Sequence, residues 1–132
     1  MKTRRSFLQK LGLAGAGALV VQSAQAEEDR GRSFMIHQVY FWLKDPQNDM
    51  KSFMKGCENL IKIDSIQKAY IGVPAATERR EVVDHSFHVS LTVHFKSIED
   101  HNIYQFHEDH TKFVANHEDK WKKVQVYDSK ID

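Results

Sequence analysis

Between Phe87 and Phe95 the chain alternates Phe87, Val89, Leu91, Val93 and Phe95 with His88, Ser90, Thr92 and His94. A period of two is the mark of a β-strand with one apolar and one half-polar face, so the domain must contain a sheet. Met35–Leu43, rich in aromatic and branched residues, reads as a second strand. One of its faces carries His37, Val39 and Phe41, and the other carries Ile36, Gln38, Tyr40 and Trp42. Both faces are largely apolar, so both call for cover.

The intervening segments read in turn. Asp45-Pro46 starts a helix, with the Asp45 carboxylate placed to cap backbone N–H groups and Pro46 at the first helical position. Met50, Phe53, Met54, Cys57, Leu60 and Ile61 then form one apolar stripe at helical spacing. Ile66–Val73 is a strand ended by Pro74, and the polar stretch from Ala75 to His85 is a solvated loop or hairpin tip. Ser97-Ile98-Glu99-Asp100 is a variant of the capping box and opens a helix to about His107. A further helical stretch puts His110, Phe113, Val114 and His117 on one face, and Lys122–Tyr127 is the last strand, just after Trp121. Strand, helix, strand, strand, helix, strand predicts an α+β fold, a ferredoxin-like βαββαβ sandwich with its helices on one side of the sheet. The second sheet face then needs cover. A second subunit stacked sheet to sheet, giving a dimeric α/β barrel, is the simplest source. His88, Ser90, Thr92 and His94 would face that partner with Tyr40 and Trp42.

Residues 1–26 read differently. Thr3-Arg4-Arg5-Ser6-Phe7-Leu8 has the form of a twin-arginine (Tat) export signal, and an apolar run from Leu11 to Val21 leads to the small-residue site Ala24-Gln25-Ala26. That run is too short to span a bilayer, which takes about 20 residues. The expectation is a bacterial protein exported by the Tat route to the periplasm or beyond, touching the membrane only in transit. Residues 27–34 form a charged junction, and the folded domain occupies 35–129. Of 19 basic and 18 acidic residues, Lys2, Arg4, Arg5 and Lys10 fall in the signal, leaving 15 basic against 18 acidic. That balance offers no basic patch for nucleic acid.

Cys57 is the single cysteine, so no intramolecular disulfide forms, and its place on the apolar stripe makes it a small hydrophobe. All eight histidines follow the signal. His107 and His110 with Asp109, His85 with His88, and His88 with His94 have spacings that could suit a metal. Such pairs also arise by chance in a His-rich chain. No metal site and no cofactor are predicted.

Several segments in order, Met35-Ile36-His37-Gln38-Val39, Gly72, Val93-His94-Phe95-Lys96-Ser97, Tyr104-Gln105-Phe106-His107-Glu108-Asp109-His110 and Trp121-Lys122-Lys123-Val124-Gln125-Val126-Tyr127-Asp128, resemble the stress-responsive dimeric α+β barrel (Dabb) family. The resemblance implies a homodimer with a pocket between sheet and helices in each subunit, lined by Val39, Phe41, Phe53, Val89, Leu91 and His107. It extends distantly to polyketide cyclases of the olivetolic acid cyclase type, which implies roles for Tyr104, His110 and His37. His110 would act as base toward a carbon next to a carbonyl, Tyr104 as donor to the developing oxyanion, and His37 as an orienting group. Where the family commonly has His-Pro-x-His, this chain has His107-Glu108-Asp109-His110, with a different turn and two added acids. Three readings follow: binding of a small apolar, aromatic or carbonyl-bearing molecule; a cyclase- or lyase-like enzyme; or a structural stress protein in which the three side chains form a satisfied polar network.

Overall fold

The computed structural model describes residues 32–131. The elements are β1 (Met35–Leu43), α1 (Pro46–Leu60), β2 (Lys68–Gly72), β3 (Val89–Phe95), α2 (Ile98–Gln105), α3 (Glu108–His117) and, after one turn of 3-10 helix, β4 (Trp121–Lys130). The strands form one antiparallel sheet in the order β2-β3-β1-β4, with the apolar β1 inside it. This is the ferredoxin-like α+β arrangement.

The alternation of the two central strands sets what is buried. Met35, His37, Val39, Phe41 and Leu43 of β1 and Val89, Leu91, Val93 and Phe95 of β3 are buried, with half-buried residues between them. The buried face packs against Phe53, Cys57 and Leu60 of α1, Tyr104 of α2 and Phe113 of α3. Burial pushes the Cys57 thiol up to about 12, which leaves it protonated and unreactive. On the opposite face Tyr40 meets Phe87 and Tyr127, with ring centroids 5.0 and 6.2 Å apart, and Lys123 lies 4.5 Å over the Trp42 ring.

Several boundaries differ from the expected ones. Asp45 does not cap α1 with its side chain; its carboxylate accepts from Asn48 at 2.8 Å instead. The second strand is only Lys68–Gly72, and the third starts at Val89. The helix opened by Ser97, whose hydroxyl accepts from the Asp100 N–H, stops at Gln105 rather than His107. The last strand begins at Trp121 and runs on to Lys130, because main-chain pairing with Met35–His37 continues where the side chains turn polar. Among the described residues no helix is long and apolar enough to cross a membrane.

Gly56 is where α1 comes close to α3. A Cβ there would stand 2.9 Å from His117 Cδ2 and closer still to its Cε1 and Nε2. That ring is held against Phe53 and Phe113. Gly56→Ala is therefore expected to destabilise the domain by about 1–3 kcal/mol, the usual cost of overpacking. A urea midpoint equal to that of the parent would contradict this close approach.

Candidate functional site

The β1–β4 register sets His37 directly opposite Asp128. Val124, Val126 and Asp128 recur at period two along β4. The His37 Nδ1 to Asp128 Oδ1 distance is 2.5 Å. A carboxylate can only accept, so Nδ1 carries the proton and Nε2 keeps a lone pair. Burial holds the His37 pKa below the ordinary histidine value, although Asp128 pulls it upward. Desolvation wins, and the ring is neutral.

Tyr104 comes from the last turn of α2 and is 1 % exposed. Burial raises its phenol well above the ordinary tyrosine range, so it stays a proton donor. After α2 stops, His107 caps α3, its Nδ1 accepting from the Asp109 N–H at 2.9 Å. One turn on, His110 meets Tyr104 edge to face, with ring centroids 5.0 Å apart. Burial, with His37 and His101 nearby, holds His110 below its ordinary pKa. A neutral imidazole at neutral pH can accept a proton. Neither the Tyr104 hydroxyl nor the His110 ring has a hydrogen-bond partner among the described residues. The satisfied network expected of a purely structural trio is therefore limited to His37 and Asp128.

His37, Val39, Leu91, Tyr104, His110 and Phe113 help line a cavity of about 170 Å³ between the sheet and the helices. Phe41 lines it too, whereas Phe53 and Val89, expected there, do not. Both are fully buried in the core. His107 is absent from the wall as well, because its ring serves the α3 cap. For scale, an apolar cavity of about 150 Å³ admits benzene, and pockets for drug-sized ligands start near 300 Å³.

The histidine pairs noted from spacing do not assemble. His85 pairs with Thr77, and His88 accepts from the Leu43 N–H. His94 pairs with the Ser33 hydroxyl. Two residues that the spacing passed over do matter. Asp128 lay beyond the expected last strand. His101, isolated in sequence, comes from α2 to within 5.1 Å of His37, ring centre to ring centre.

The stress responsive A/B barrel domain (Dabb) model matches residues 35–131. The chain belongs to the Dabb family. No curated protein sequence matches it. Among solved structures, the Dabb domain resembles a dabb family protein of ferredoxin-like fold from Mesorhizobium loti, at 19% identity and a TM-score of 0.60. That alignment covers 74% of this chain and 96% of the other. A dimeric protein of unknown function from Bacteroides fragilis aligns at 18% identity and a TM-score of 0.58, over 76% of this chain and 98% of the other. The hydroxynitrile lyase of Passiflora edulis aligns at 18% identity and a TM-score of 0.62, over 76% and 94%. At these identities the likeness is one of fold.

Proposed function

We propose that this Dabb protein is an exported homodimer that binds a small apolar, aromatic or carbonyl-bearing molecule in the cavity between sheet and helices. The observation that carries the reading is the convergence of His37, Tyr104 and His110 on one cavity. A phenol O–H and an imidazole nitrogen facing one cavity can pair with a ligand oxygen or hydroxyl. The volume suits a single ring better than an extended polyketide chain. The homodimer is supported by the dimeric neighbour and by the aromatic outer face of the sheet, where Tyr127 is 57% exposed. Export rests on the Arg4-Arg5 signal, which lies outside the described residues.

A second reading is an enzyme of the cyclase or lyase kind. It is favoured by a neutral His110 beside a protonated Tyr104, since proton abstraction next to a carbonyl needs a base and a donor to the enolate oxygen. A hydroxynitrile lyase among the structural neighbours is a precedent for lyase chemistry on this fold.

Acetophenone, a one-ring ketone with exchangeable α-protons, tests both readings. In a nitrogen-15 NMR titration, shift changes should centre on Val39, Leu91, Tyr104 and His110 and vanish in Val39→Phe, which fills the cavity. Absence of shifts, or shifts unchanged in Val39→Phe, leaves the ligand-free stress protein as the better account. If the enzyme reading holds, the protein speeds exchange of the α-protons with deuterium, and His110→Ala slows it by about 10²–10⁴-fold. For the remaining part, cell fractionation should find the parent chain outside the cytoplasm, sedimenting at dimer mass. The Arg4→Lys, Arg5→Lys double variant should remain inside. Equal export of that variant would dismiss the Tat assignment.

A further inference from the structure

We propose that His37, His101 and Asp128 form a binding site for one first-row divalent transition-metal ion, of the kind zinc exemplifies. The three residues come from β1, α2 and β4. One ligating atom from each lies within 4.8 Å of the other two. Two imidazoles and a carboxylate are a donor set for zinc or its neighbours rather than for magnesium or calcium, which prefer all-oxygen sites.

The second observation concerns His101. Its Nδ1 lies 3.0 Å from the Asn102 side-chain oxygen, so Nδ1–H donates there and the lone pair sits on Nε2. Nε2 is buried and has no hydrogen-bond partner. A cation supplies what that nitrogen lacks, and the Asn102 oxygen orients the ring from behind, as outer-shell partners of metal-bound histidines do. Of the other histidines, His85, His88, His94, His107 and His117 are engaged with Thr77, Leu43, Ser33, Asp109 and Lys120 respectively. His37 and His101 are thus drawn together by the fold while most of the remaining rings are committed elsewhere.

A tetrahedral ion bound at about 2.0–2.1 Å holds its ligand atoms about 3.4 Å apart. The 2.5 Å contact between His37 and Asp128 must open by roughly 1 Å and His101 must close by a similar amount. The Asp128 side chain, 47% exposed, is free to make that adjustment. The ion takes the place of the hydrogen bond between His37 and Asp128. The His37 proton shifts from Nδ1 to Nε2, so the ring stays neutral and no net proton is released from it. Three protein ligands leave a fourth position for water or a ligand oxygen. His37 is shared with the cavity wall, but the metal site does not depend on the cavity holding an organic ligand.

The test uses the full chain, stripped with a chelator. Titration with zinc chloride in a calorimeter should show one ion per chain, and cobalt(II) should give a visible absorption band as a four-coordinate ion. His101→Leu, which keeps the volume of the side chain, should weaken binding by more than the ~10–100-fold that loss of an outer-shell partner costs, and should abolish the cobalt band. Asp128→Asn should do the same, and it decides the matter if His101→Leu fails to fold. His85→Gln should bind as the parent does. No uptake by the parent chain, or equal affinity in a folded His101→Leu or Asp128→Asn protein, overturns the proposal. A failed acetophenone titration leaves it standing.

Discussion

Phe53→Ala is expected to cost about 3–5 kcal/mol, the range for removing a buried aromatic ring from a packed core. Phe53 is 0% exposed, and its ring centroid lies 4.8 Å from Phe41, 5.8 Å from Phe113 and 6.2 Å from Trp121. These rings join α1, β1, α3 and the start of β4, so no single neighbour can move into the space without leaving another. A domain of this size has about 5–15 kcal/mol of stability in all, and about 4–8 °C of melting temperature goes with each kcal/mol. The variant should melt roughly 12–40 °C below the parent. Phe106→Ala is the matched control, since Phe106 is 82% exposed and its loss should fall within about 0.5 kcal/mol of zero. Equal urea midpoints for the two variants would place the core elsewhere.

The contrast between those two phenylalanines bears on what can be read from residue order. Phe53 belongs to a stripe at helical spacing, and β3 announces itself by alternation, so core and sheet follow from period. Phe106 looks equally apolar but falls at the C-cap of α2. Only the geometry of the break before His107 shows why it is outside. The same limit governs the site. His37, Tyr104 and His110 could be named because a family resemblance pointed at them. His101 and Asp128 could not, since a cluster drawn from three elements leaves no spacing in the chain. Asp128 was within reach: Val124, Val126 and Asp128 share a period of two, but polar side chains disguise a strand whose pairing is made by the main chain. His107 shows the converse, a residue that the family resemblance placed in the cavity and that its Nδ1 diverts to a helix cap.

Acidification below about pH 6.5 is expected to drain stability from the chelator-treated protein. His37, His94, His110 and His117 are all held below the ordinary histidine pKa, with burial the largest cause in each. The Lys68 ammonium adds to the effect at His94 and Lys120 adds to it at His117. Because each folded value lies below the unfolded value of about 6.5, the unfolded chain takes up protons first as pH falls. The stabilisation is complete above that value and is lost as pH drops through the folded pKa values. Each histidine contributes a slope of at most about 1.4 kcal/mol per pH unit, and solvent screening makes His94 and His117 the smaller contributors. Asp84 is also held below the ordinary carboxylate value by its hydrogen bonds with Ser86, which moves its titration further from this window. Urea midpoints measured from pH 7.5 down to 5 should fall, and His110→Gln should flatten the decline. A midpoint that holds steady or rises over that range would contradict the neutral state of these rings. That neutral state is also what a base at His110 requires, so acid should weaken the fold and any proton abstraction over the same interval.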